Sequence, residues 1–382
     1  MIETASLVDH YCHGVLRTEL GPATFEAQLG RTARPPAAGT TFFDTQTGFA
    51  VRRWCPPLLG LEPHCPPARY LARRRELGAL RSAGLLLRST GVSTYLVDTG
   101  PPGELTGPGE LAAAGAAEAR EIVRLEPLAE RAADTAGSVR DFLSGLSESV
   151  HGAAATAAAL SFASGPGDTL AAAPHPPGPG EVRAAAGRWL AERRTGRGPL
   201  SEPVLLRHLL WIGVTTGLPL QLHLGPGDVY PPAGSADPTV LTGFAAATEG
   251  LGTDLVLLGT YPYHRQAAQL AAAFPHVYAD LGPSLAFTGA RAAVVLAEML
   301  ELAPFGKLLF SSGARGLPEL HVVGARVFRD AVARVLGSWV SEGAWSLADA
   351  RRVAEMIAAG NARRVYGLRD GGLPDGGLRD SR

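Results

Sequence analysis

The stretch "DLVLLGTYPYHRQAAQLAAAFPHVYADLGP", residues 254–283, contains one complete structural unit. It opens on an apolar run, breaks between Gly259 and Pro262, and continues as an alanine-rich segment over 265–273. It closes on a second apolar run that ends in a polar residue. Short apolar runs bounded by glycine or proline read as buried strands, and a strand, a helix and a strand in succession imply parallel pairing through a right-handed crossover.

The same unit recurs along the chain. The runs "SLVDHYCHG", "STYLVDTG", "EIVRLEP", "HGAAATAAALSF", "PLQLHLG", "DLVLLGTYP", "HVYADLGP" and "KLLFSSG" give eight candidate strands. Helical spacing is strong at 183–194, 265–273, 289–302 and 319–336. Eight alternations predict an α/β fold, a (β/α)8 TIM barrel, with an open doubly wound sheet as the runner-up. A length of 382 residues suits one such domain, over 1–367.

Two regions depart from the repeat. Residues 17–90 form a long helical insertion after the first strand, with helices expected at 22–32, 40–54 and 66–83; connections of this length usually cover a barrel mouth or contact a partner. The tail at 368–382, "LRDGGLPDGGLRDSR", reads as disordered.

Composition narrows the function classes. A formal net charge of -1 gives no broad attraction to nucleic acid or to an anionic membrane surface, so a small molecule or an oligomeric relative is the expected partner. No apolar run approaches the roughly 20 residues needed to span a bilayer. Cys12, Cys55 and Cys65 are an odd set with no paired spacing, and no secretion signal is legible, so a reduced, cytoplasmic protein is expected. Lys307 is the sole lysine.

In a barrel, chemistry sits at the C-terminal strand ends. Strand one ends in "DHYCHGV", residues 9–15, strand five in His223, strand six in Gly259, Thr260 and Tyr261, and strand eight in Ser311, Ser312 and Gly313. His13 and His223 are the two imidazoles expected to face one mouth. Alternation along a strand puts His10 and Cys12 on the other face, as packing residues between barrel and helices.

The segments "FFDTQTGFAVRRWCPPLL", "LVDTG", "PLQLHLGPGD", "YPYHRQAAQLAAAFPHVYADLG" and "FGKLLFSSGARGLPELHVVGARVFR" occur in that order. Together they resemble the amidohydrolase superfamily, in the branch whose relatives include the amidohydrolase half of glutamine-synthetase fusion proteins. The likeness runs over about residues 5–367.

The resemblance implies a metal-dependent hydrolase barrel. Its pattern has a His-x-His pair ending strand one, in some members a carbamylated lysine ending strand four, and histidines ending strands five and six. An aspartate ending strand eight takes a proton from metal-bound water. Carried onto this chain, the pair falls on Tyr11 and His13, the strand-four position on Ala154, the strand-five histidine on His223, the strand-six histidine on Gly259 and the aspartate on Gly313. Only His13 and His223 keep their type. Lys307 begins strand eight at the opposite end of the barrel, so a carbamate bridge is excluded. The two glycines are expected to leave space at the mouth.

Tyr11, Asp228, Tyr261, His264 and Arg265 are the candidate ligand-binding residues. For 261–265 a turn set by Pro262 with packed rings explains the sequence equally well, and for Asp228 a turn is favoured. Glu319 suits a helix N-terminus. No Gly-x-Ser-x-Gly elbow appears, and the glycine runs lack the strand-to-helix setting of a phosphate cradle.

The reading is an amidohydrolase-like barrel that has lost metal-dependent hydrolysis: a pseudoenzyme that binds a small molecule or serves as a partner subunit, with no cofactor expected. The alternative is an active hydrolase of C–N or related bonds using zinc or another divalent metal at His13 and His223. A third reading is an interaction subunit working through 17–90. Whether Asp98, Glu126 or Asp228 approaches the two histidines is decided by the tertiary structure.

Overall fold

The computed structural model describes every residue except 1, 3, 31–34, 101–103, 166–169, 171–172, 197, 226–235 and 369–382. Asp228 and the expected disordered tail, apart from Leu368, lie outside the described residues.

Each of the eight expected runs carries a strand: β1 Leu7–Cys12, β2 Val92–Asp98, β3 Glu118–Arg124, β4 Ala159–Phe162, β5 Leu220–His223, β6 Leu255–Leu258, β7 Val277–Asp280 and β8 Leu308–Leu309. They form one parallel sheet in chain order. Backbone N–H groups of His10 and His13 donate to the carbonyls of Phe310 (3.3 Å) and Ala314 (2.8 Å), and Gly313 N–H donates to Tyr11 O (3.0 Å). These bonds draw the last strand onto the first and close a barrel, which removes the doubly wound alternative.

Alternation sorts the side chains. Leu220, Leu222, Leu255, Leu257, Val277 and Ala279 face the surrounding helices, while Val8, Leu96, Ile122, Ala159, Val256, Leu258, Tyr278 and Leu309 pack together inside. Ala359, Ala362, Val365 and Tyr366 join the inner cluster. Asn361 fixes their approach by donating to Phe305 O and Leu308 O, both at 2.8 Å, so the C-terminal segment plugs the N-terminal end of the barrel. A fully buried aliphatic side chain contributes roughly 1.5–3 kcal/mol, and the plug therefore belongs to the core.

Tyr366 carries a polar group into this interior. Gln221 Nε2 donates to its oxygen (2.9 Å), so the Tyr366 hydroxyl donates to His10 Nδ1 (3.0 Å), and His10 Nε2–H donates to Asp280 Oδ1 (3.0 Å). Asp280 also accepts from Gly282 N (2.9 Å) and Ser311 Oγ (2.9 Å). Burial pushes the Tyr366 phenol well above its ordinary range, so it stays a donor.

The insertion is helical as expected, at Pro22–Gly30, Gln46–Leu58, Pro67–Leu77 and Ala79–Arg88. The helix expected over 66–83 divides at Gly78, whose φ of 80° ends one helix and starts the next. Gln46–Leu58 and Ala79–Arg88 pack against the outer helix Pro318–Ser341. Tyr70 Oη and Arg74 Nε both donate to Glu319 Oε1 at 2.8 Å, with the Arg74 and Glu319 side chains 3% and 0% exposed. Glu319 is thus more than a helix-end charge: it ties the insertion to the barrel wall.

Candidate functional site

β1 departs from simple alternation. Asp9 and Cys12 pair with Tyr95 and Val97, so three steps along β1 match two along β2. Both His10 and Tyr11 therefore turn inward, His10 to Asp280 and Tyr11 to the inner cluster. His10 is not a packing residue on the outer face; Cys12 is, and Asp9 shares that face with it.

The two predicted histidines meet around Tyr11. His13 Nδ1 lies 2.7 Å from the backbone oxygen of Asp98. A carbonyl only accepts, so Nδ1 carries the proton and Nε2 holds a lone pair, which receives the Tyr11 hydroxyl at 2.8 Å. The Tyr11 ring packs edge-on against His223 with centroids 4.8 Å apart. All three side chains are buried.

Asp98, ending β2, is fully buried beside them. Its Oδ2 accepts from Arg124 Nη2 (2.8 Å) and Nε (3.2 Å) at the end of β3 and from Ser161 Oγ (3.1 Å) in β4; Oδ1 accepts from Gly100 N (2.9 Å). Burial alone would raise this carboxyl, but the Arg124 guanidinium and the hydrogen bonds it donates outweigh it and hold Asp98 below the usual carboxylate range. The Glu126 carboxylate is bound to backbone instead, its Oε1 accepting from Ala163 N (2.6 Å) and Ser164 N (2.7 Å), with its carboxyl raised by burial.

The remaining family positions fall as follows. Ala154 ends the helix Val139–Ala154, before β4 and at the opposite end of the barrel. The expectation for strand four was misplaced because the alanine-rich run "HGAAATAAALSF" hides the helix-to-strand boundary; Ser161 is the inward residue near the strand's end. On β6 the inward residue at the rim is Leu258. Gly259 follows it at φ 65°, and among the described residues a Cβ there would meet only Gly225 N, at 3.8 Å. Gly313, at φ 54°, leaves no space: a Cβ would lie 2.4 Å from Pro283 Cγ.

Of the candidate ligand-binding residues, Tyr11 is at the site. His264 Nε2 binds Glu298 (2.6 Å) and stacks on Tyr261, while Arg265 pairs with Glu301 (2.7 Å). These contacts run to the neighbouring outer helix, Ala292–Leu302. Sequence reasoning passed over Arg124 and Ser161 and left Asp98 open. In "STYLVDTG" alternation from Leu96 would have turned Asp98 inward.

A family model described as Amidohydrolase matches residues 109–368. Protein fluG of Emericella nidulans is 35% identical over 154 residues, which is 40% of this chain and 18% of that protein, so the match spans a small part of that relative. A solved structure assigned as a metal-dependent hydrolase, from Lactobacillus casei ATCC 334, superposes with a TM-score of 0.81 at 21% identity over 96% of each chain. A uronate isomerase from Bacillus halodurans C-125 gives a TM-score of 0.64 at 14% identity, over 97% of this chain and 95% of that one. At such identities these two speak to the fold.

Proposed function

The chain belongs to the amidohydrolase family, and from that premise we propose that it binds a small polar molecule at the barrel mouth and carries out no metal-dependent hydrolysis there. The observation that carries this reading is the Tyr11–His13 hydrogen bond. His13 spends Nδ1 on Asp98 O and Nε2 on the Tyr11 hydroxyl, and a neutral imidazole has no further lone pair to offer a metal.

Other features support the same conclusion. A metal of the family's kind, when bound, activates water for attack on the substrate. The donor set does not fit one: among the described residues, no converging group of three His, Cys, Asp or Glu side chains includes His13 or His223. Leu258 occupies the rim on β6, and Pro283 fills the place a Gly313 side chain would need. The residues that end β8, Phe310 to Gly313, themselves include no carboxylate or imidazole.

What remains suits binding. Arg124, partly exposed beside Asp98, brings a guanidinium to the mouth, which favours a small molecule rich in hydrogen-bond acceptors. No described helix is long and apolar enough to cross a membrane, and the three cysteines are free and buried. These features are compatible with a reduced cytoplasmic setting and with small-molecule or oligomeric partners.

The test is elemental analysis of protein purified without chelator, for the wild type, His13→Ala and His223→Ala, together with turnover assays on an amide and lactone panel. Metal content indifferent to both substitutions supports the proposal. Metal lost on His223→Ala, or turnover abolished by a chelator and restored by zinc, overturns it in favour of an active hydrolase.

A further inference from the structure

We propose that the chain holds a structural zinc ion outside the barrel, between β1 and the helix Pro318–Ser341, on Asp9, Cys12 and His321. The ligand atoms of these three buried side chains lie within 4.8 Å of one another.

Residues three apart on a regular strand point to opposite faces. The register shift in β1 puts Asp9 and Cys12 on the same outer face, where the first turn of the helix brings His321 to meet them. Gly324 permits that approach, since a Cβ there would lie 2.7 Å from Ser312 Cβ.

The His321 imidazole is 1% exposed, its ring packs edge-on against Tyr95, and neither nitrogen has a hydrogen-bond partner among the described residues. Burying an imidazole in this way costs about 1–3 kcal/mol. Its Nδ1 stands 3.8 Å from Asp9 Oδ2. That is too long for a hydrogen bond, and close to the roughly 3.4 Å separating two donors on one tetrahedral zinc at bond lengths near 2.1 Å.

The chemistry is balanced. A divalent ion, a carboxylate, a thiolate and a neutral imidazole sum to zero charge, as a site with no solvent contact requires. Binding breaks the Cys12 S–H bond and releases its proton to solvent. The mixed oxygen, sulfur and nitrogen set selects zinc over magnesium or calcium. Asp9 is oriented by Ser312, whose N–H donates to Oδ1 (2.8 Å) and whose hydroxyl donates to Oδ2 (2.5 Å), the kind of support ligating carboxylates receive. The Leu96 carbonyl lies 3.6 Å from Cys12 Sγ and the Ser312 hydroxyl touches Asp9 Oδ2, so either oxygen is within reach of the fourth position.

The experiment uses the full chain, purified without chelator and analysed for metal, alongside Cys12→Ser, His321→Ala and His223→Ala. About one zinc per chain is expected in the wild type and in His223→Ala, falling at least tenfold in His321→Ala and Cys12→Ser. Because those variants can fail to fold, the wild type is also refolded with cobalt. A near-ultraviolet thiolate-to-cobalt band is expected, displaced by zinc. Metal-poor wild type with no cobalt band overturns the proposal and leaves a buried water bridging Asp9 and His321. Zinc that depends on His223 as well as on His321 overturns the reading of the mouth alone, whereas zinc that depends on His223 and not on His321 overturns both, so the two fail distinguishably.

Discussion

Tyr11 donates a hydrogen bond of 2.8 Å to His13 Nε2, across Cys12, the last residue of β1. Residues two apart in extended chain share a side, so the phenol and the imidazole meet, and the Tyr11 ring lies against His223 as well. Removing only the hydroxyl, in Tyr11→Phe, leaves a buried nitrogen without that donor. A loss of about 1–2 kcal/mol is expected in urea unfolding, together with a changed His13 ring resonance in NMR.

Gly313, where the resemblance expects a carboxylate, cannot accept one without rebuilding its surroundings. Gly313→Asp places a side chain at φ 54° and drives Cβ into Pro283. A destabilisation of roughly 1–3 kcal/mol is expected from the backbone alone, read as a lower Tm, whereas Gly259→Ala should meet backbone strain without a clash.

The Arg74–Glu319 pair predicts that the insertion is inseparable from the barrel. Arg74→Ala leaves a carboxylate with no exposure and removes a guanidinium that also reaches Glu19 at 2.9 Å. Breaking a buried pair from one side costs about 3–5 kcal/mol. Denaturant unfolding measures the loss, and limited proteolysis should show the 17–90 region cut first in the variant.

Glu126 is expected to work against stability at neutral pH. Burial raises its carboxyl above the ordinary value of 4.5, so the folded chain binds this proton more tightly than the unfolded one. The stability from the protonated form is present below pH 4.5 and is lost as pH rises through the folded value. Glu126→Gln keeps an oxygen for Ala163 N and Ser164 N and removes the charge. A higher Tm at pH 7, and a flatter pH profile above 4.5, are the expected results.

Tyr366→Phe tests the chain from Gln221 to Asp280. It leaves the Gln221 amide and His10 Nδ1 facing an apolar ring inside the barrel, at a cost of about 1–3 kcal/mol. Thermal unfolding at matched pH should show the loss; an unchanged Tm would mean the polar chain contributes nothing net.

The barrel was legible because each strand is a short apolar run between turn residues, and parallel pairing needs nothing more specific. The site was legible only in part. His13 and His223 could be placed from strand ends, whereas Asp98 was left open although the alternation of "STYLVDTG" could have turned it inward. Ala154 was misread because alanine serves both the end of a helix and the start of β4.

Local sequence thus determined the period of the elements, their order and the fold that follows, since apolar spacing is a property of neighbouring residues. Only the tertiary structure decided how β1 pairs with β2, and that pairing is set by two strands more than 80 residues apart. A one-residue slip exchanges the faces of a strand. The slip turned His10 inward to Asp280, while it brought Asp9 and Cys12 together toward His321.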